Sequence, residues 1–220
     1  MELSNSFINS LIKVCVSFEV FTAIIGTVFY YKYRDEKILK LFIFLIWYVA
    51  INELVGLYLK LNGEINAIIH NIYNLINFTF FLILYRYYID NYKHKKIIMF
   101  MGIVYVLAFI INGFYENYFT EYQRFPYIIG GLSLVISVIL YFIDLLNSEK
   151  VLKASKDLLF WISVGLLIYF VGNLPFRIIR NYYSQLADAT IILLVNITLT
   201  FILNICFIIG FICSHKKQPY

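Results

Sequence analysis

Few side chains in this sequence can move a proton or hold a charge inside an otherwise apolar run, and they are spaced with a pattern. Residues 68–77 read IIHNIYNLIN, which places His70, Asn74 and Asn77 at i, i+4 and i+7. On a helix they share one face, with Asn71 beside Asn74. Glu19, Glu53, Asn173, Arg177 and Asn196 interrupt other apolar runs. An imidazole, carboxylates, a guanidinium and amides suit two kinds of chemistry. One is recognition of a polar ligand by hydrogen bonds and charge. The other is general acid–base catalysis, with Glu53 and His70 as the proton-handling pair.

Other chemistries lack their parts. His70 is the only histidine in an apolar run, so a site of His70, Glu53 and Glu19 is weak and no metal is expected. The last apolar run has no lysine for a retinal Schiff base. No G-x-S-x-G, H-E-x-x-H or phosphate-cradling glycine loop occurs, and no cofactor is expected. Residues 129–133, IGGLS, read as close helix packing. Cys15, Cys206 and Cys213 form no C-x-x-C pair and read as free thiols packed as small hydrophobes.

The elements that must position these groups follow from composition. The chain has 220 residues, 62% of them hydrophobic and only 14% charged, with mean hydropathy +0.80. A soluble domain of this length cannot hide so much apolar side chain. A bilayer core of about 30 Å takes about 20 apolar residues per helix. Seven runs qualify, roughly 7–31, 38–60, 64–88, 97–114, 124–146, 157–178 and 188–213. The expected fold is all-α: a single domain, 1–220, forming a bundle of seven transmembrane helices. The first run lacks the basic flank and cleavage site of a secretory signal and reads as a retained span.

Basic residues set the direction. The first, third and fifth loops and the tail hold Lys32, Arg34, Lys37, Lys40, Arg86, Lys93, Lys95, Lys96, Lys150, Lys153, Lys156, Lys216 and Lys217. The opposite side holds Lys60, Arg124, Arg177 and Arg180. The positive-inside rule then puts the N-terminus outside and the C-terminus in the cytoplasm of a bacterial inner membrane. The net charge of +5 is this bias, and no nucleic-acid partner is expected. Tyrosines at span ends, among them Tyr30, Tyr31, Tyr87, Tyr88, Tyr115, Tyr182 and Tyr183, read as an interfacial belt. Lys13 is expected to reach outward from the first span.

Counting along each helix at about 1.5 Å per residue places Glu53, His70 and Asn173 at one outer level, with Asn74, Asn196 and Glu19 deeper. The inner halves are almost wholly apolar, with Asn204 as the main exception. An ionisable group facing hydrocarbon costs several kcal/mol, so these side chains should face the interior. His70 is expected to meet Glu53 across the short turn at 61–63. Pro175, read as the one proline inside a span, should bend or loosen the sixth helix.

Two stretches, INELVGLYLKLNGEINAIIHNIYNLINFTFFLILYRYYI and LLFWISVGLLIYFVGNLPFRIIRNYY, resemble a group of small seven-helix membrane proteins common in Bacteroidetes genomes. The group pairs a glutamate late in span two with an H/N-x-I/Y-type motif in span three. Its span six carries F-W-x-x-x-G-x-L-x-Y-F-x-G-N. The matching residues here are Glu53; His70, Ile72 and Tyr73; and Phe160, Trp161, Gly165, Leu167, Tyr169, Phe170, Gly172 and Asn173. The group usually has an aromatic or acidic residue where Asn77 and Phe78 stand. The resemblance implies the seven-helix fold and brings no activity with it.

The expectation is a sensor or receptor-like protein that binds a small molecule or lipid in an outward-facing polar pocket. The binding residues would be Glu19, Glu53, His70, Asn71, Asn74, Asn173, Arg177 and Asn196. With no soluble effector domain it would signal through a membrane partner. The alternatives are an intramembrane enzyme on a lipid-like substrate and a small-solute carrier. Seven spans in this direction also match sugar carriers of the PQ-loop type, which carry prolines in spans one and five. A carrier needs a polar path through both halves.

Overall fold

The computed structural model describes residues 5–182 and 189–215. Tyr183, Lys216 and Lys217 lie outside the described residues, as do the side chains of Lys60, Arg180 and Tyr182. The described chain is all helix and turn: α1 Asn5–Val28, α2 Leu39–Leu61, α3 Ala67–Tyr88, α4 Tyr92–Asn112, α5 Arg124–Leu146, α6 Leu158–Tyr182 and α7 Ala189–Cys213, with 3₁₀ segments at Tyr30–Lys32 and Glu149–Lys156. All seven helices are long and apolar enough to cross a membrane, so this is a multi-pass membrane protein in contact with lipid. The hydropathy boundaries hold to a few residues except at α4. There helix begins at Tyr92, because the Asn91 side chain accepts the Lys93 N–H at 2.9 Å. This N-cap carries the helix through a lysine-rich turn that hydropathy assigns to the loop.

The chain divides into two compact units, residues 1–50 with 153–220, and residues 51–152. In the first unit α6 and α7 pack closely because three glycines remove the side chains between them. A Cβ on Gly165 would lie 3.0 Å from Leu203 and Cys206, one on Gly172 2.8 Å from Leu199, and one on Gly210 2.9 Å from Leu158 and Trp161. In lipid, where apolar burial drives little association, such close approach supplies the dispersion contacts. Phe42 meets Phe207 edge-on at 5.0 Å, and Phe18 meets Phe201 at 5.1 Å. The C-terminal carbonyls of α7 have no helical donors. Lys32 supplies them, its Nζ donating to Phe211 O, Ile212 O and Ser214 O at 2.8–3.1 Å.

In the second unit α5 packs on α3 and α4 through Gly130, where a Cβ would meet Phe78 at 2.8 Å and Tyr105 at 2.9 Å. The packing role expected of IGGLS is met there. The end of α5 is tied to the start of α4 by His94 and Asp144, 2.6 Å apart, and by Lys150 and Asp90, 2.8 Å apart.

Two expectations need correction. Cys213 is exposed at the last residue of α7, whereas Cys15 and Cys206 are buried free thiols. Pro126 also falls inside a span, but in the first turn of α5, where a missing N–H costs nothing. Pro175 lies inside α6, which runs from Leu158 to Tyr182. Lys13 is exposed.

Candidate functional site

The polar residues read from the sequence fall into two networks, one in each unit. The first unit holds a ladder across α6 and α7. Tyr169, Asn173 and Arg177 follow one another at i, i+4 and i+8 on α6, so they stack on one face. Arg177 Nε donates to Asn173 Oδ1 at 3.1 Å, and Asn173 Nδ2 donates to Asn196 Oδ1 at 2.6 Å. Tyr169 Oη donates to the same Asn196 oxygen at 3.2 Å. These contacts fix both amide orientations, since each oxygen must accept. Asn173 is 3% exposed, while Arg177 and Asn196 are half-buried. Below Asn196 the polar line continues along α7: Thr200 Oγ1 donates to Asn196 O, and Asn204 Nδ2 donates to Thr200 O, each at 2.9 Å.

Glu19 is buried on α1 of the same unit, next to the Phe18 that packs on Phe201. Tyr169 and Thr200 were missed by the sequence reading. The signal that reveals them is the i+4 register of Tyr169 with Asn173 and of Thr200 with Asn196.

The second unit holds the other network, around the α2–α3 turn. Gly63 has φ +73, a left-handed turn that suits glycine. Asn66 sits just before α3. Its Oδ1 accepts the Tyr122 hydroxyl at 2.5 Å. Its Nδ2 lies 3.3 Å from His70 Nε2 and 3.4 Å from Gly56 O. With the amide oxygen already accepting, the nitrogen is left to donate toward Gly56 O and the His70 ring. The Tyr122 ring lies 5.6 Å from the His70 ring.

His70 faces α2, as expected: a Cβ on Gly56 would lie 3.5 Å from its Nε2. Half-buried Glu53 stands one turn earlier on that helix.

Asn71 does something the sequence did not suggest. It is 1% exposed and every polar atom of its side chain holds the 113–123 segment. Nδ2 donates to Tyr118 O at 2.9 Å and Glu121 O at 2.8 Å, and Oδ1 accepts the Gln123 N–H at 3.0 Å. Asn112 reinforces the segment by donating to Glu116 Oε2 and Gln123 Oε1 at 2.7 and 2.8 Å. Asn74 is half-buried, and its carbonyl accepts the Tyr105 hydroxyl at 3.1 Å. Asn77 is buried deeper on α3.

The structure therefore joins Asn173, Arg177 and Asn196 directly. It puts His70 beside α2 and close to Glu53's turn, and gives Asn71 a loop-holding task. A guanidinium is a planar donor fork matched to carboxylate and phosphate, so the ladder is suited to an anionic group. Among the described residues no three His, Cys, Asp or Glu side chains converge as metal ligands. No protein-family model, curated protein or solved structure matches the chain.

Proposed function

We propose that this is a receptor-like protein of the bacterial inner membrane that binds a small molecule bearing a carboxylate or phosphate at the Arg177–Asn173–Asn196 ladder. The observation that carries the reading is the chain of hydrogen bonds from Arg177 to Asn173 and on to Asn196 and Tyr169. It connects the guanidinium, near the end of a span, to the closely packed middle of two helices. An anion that draws the guanidinium toward itself weakens the bond from Arg177 Nε to Asn173. The Asn173 amide can then turn, and the contact between α6 and α7 changes where Gly172 meets Leu199. A membrane partner resting on these helices would read that change. The basic bias of the alternate loops supports an outer position for Arg177, from which a ligand would arrive from outside the cytoplasm.

The test uses the full chain in detergent and a panel of probes: succinate, glutamate, glycerol phosphate and inorganic phosphate. A receptor shows saturable stabilisation by a member of the panel, without turnover, and Arg177→Gln abolishes it while the unliganded melting temperature stays within a few degrees. Stabilisation that survives Arg177→Gln, or the absence of any stabilisation across the panel, sinks the reading.

A second reading, an intramembrane enzyme on a lipid-like substrate, has one specific support. Tyr122, Asn66 and His70 form a hydrogen-bonded relay one helical turn from Glu53. It requires a product whose formation is lost in Glu53→Gln with folding intact.

A further inference from the structure

An apolar groove of about 360 Å³ runs between α3 and α4. Its walls include Leu82, Ile83, Ile98 and Val106, its floor includes Gly102, and Arg86 lies at one end. All of these residues belong to the two membrane-spanning helices, and Ile83, Met99, Ile103 and Leu107 of the lining are exposed, so the groove opens toward lipid. From Ile98 to Leu107, both in its lining, it covers about 14 Å along α4 at the helical rise. That is close to one leaflet, half of the ~30 Å hydrocarbon core.

Gly102 supplies an independent observation. The glycines at 130, 165, 172 and 210 each sit where a Cβ would strike a neighbour at 3.0 Å or less. A Cβ at 102 would meet only Leu82 Cδ1, at 3.8 Å. Helix packing does not call for glycine there, and glycine in a helix interior is less favourable than alanine. What the missing side chain does is leave the groove floor open.

Charge marks one end. Arg86 is exposed in the last turn of α3, and Lys93, Lys95 and Lys96 follow within the next turns of chain. The nearby acids are already matched: Asp90 pairs with Lys150, and Asp144 with His94. Among the described residues no carboxylate pairs with Arg86. A cation at the interface, open to a phosphate, thus heads a slot of acyl-chain shape.

We propose that this groove binds one anionic phospholipid, with an acyl chain lying over Gly102 and the phosphate on Arg86. The chain is recognised by shape and dispersion, the headgroup by the guanidinium and the lysines beside it. The site is separate from the Arg177 ladder and stands or falls without it.

Native mass spectrometry of the full chain in detergent tests this, with dioleoylphosphatidylglycerol and dioleoylphosphatidylcholine added in turn. The wild type should retain one phosphatidylglycerol in preference to phosphatidylcholine. A cation near the membrane surface contributes about 1 kcal/mol to anionic-lipid attraction, so Arg86→Gln should cut that preference about fivefold and leave phosphatidylcholine binding unchanged. Gly102→Leu fills the floor, its Cβ meeting only Leu82 Cδ1 at 3.8 Å, and favours helix, so it should fold and lose the retained lipid of either kind. Equal retention of the two lipids by the wild type overturns the proposal, as does phosphatidylglycerol retention unchanged in both variants. Should Gly102→Leu fail to purify, Gly102→Ala, which narrows the floor by one methyl, must show weakened retention.

Discussion

Asn173 on α6 donates to Asn196 on α7 at 2.6 Å, and the two lie one and three residues from Gly172 and Leu199, where the two helices come together. Glycine lets the backbones approach, and the amides then lock the register at that level. The pair should behave as one unit. In a double-mutant cycle with Asn173→Leu and Asn196→Leu, the coupling should be about 0.6–1.7 kcal/mol, the range for polar pairs between membrane helices. Unfolding in mixed micelles measures it, and additive losses would show that the bond contributes nothing to stability.

Asn71 predicts a local effect. Asn71→Ala removes two donors and one acceptor from the 113–123 segment, leaving buried backbone groups without partners. The cost should be about 1–3 kcal/mol. The segment carries exposed Phe114, Tyr115 and Phe119, so chymotrypsin should cut it faster in the variant. An unchanged cleavage rate would mean that Asn112 and Gln123 hold the segment alone.

Tyr33, in the α1–α2 connection, predicts a pH effect. Its hydroxyl bonds Ser214. Burial pushes its pKa up to about 12; the Ser214 bond opposes the shift, and Asp157 and Tyr31 add to it. An unfolded tyrosine titrates near 10, so between these values the folded state holds the extra proton. The stability this confers is complete below about pH 10 and is lost as pH rises toward 12. The melting temperature of the wild type should therefore fall over that window more steeply than that of Tyr33→Phe. Parallel curves would show that the hydroxyl is not buried in solution.

Direction in the membrane is testable with single cysteines in a Cys213→Ser background, since Cys15 and Cys206 are buried. Glu64 and Lys37 are both exposed. In intact cells, an impermeant thiol reagent should label Glu64→Cys and spare Lys37→Cys. The opposite pattern would place Arg177 in the cytoplasm and remove the case for an external ligand.

The sequence by itself determined the seven spans. Each span is a run long enough to cross the bilayer, and transfer from water to lipid is summed along one segment without reference to any other. It also located the ionisable and amide residues, and the i, i+4, i+7 spacing of His70, Asn74 and Asn77 was legible as one polar face. The tertiary structure decided their partners. Asn71 bonds backbone about 50 residues away, and nothing in IIHNIYNLIN points to that loop. His70 was correctly turned toward α2, because a short turn leaves neighbouring helices antiparallel. Yet its amide partner came from Asn66, which the sequence reading placed in the span but did not single out. The glycines of α6 and α7 looked alike as letters, as did Gly102. Only the neighbours of each one separate tight packing from an open groove. Which groups meet depends on how each helix is rotated and crossed, and that is set by side-chain packing between helices, which no single segment contains.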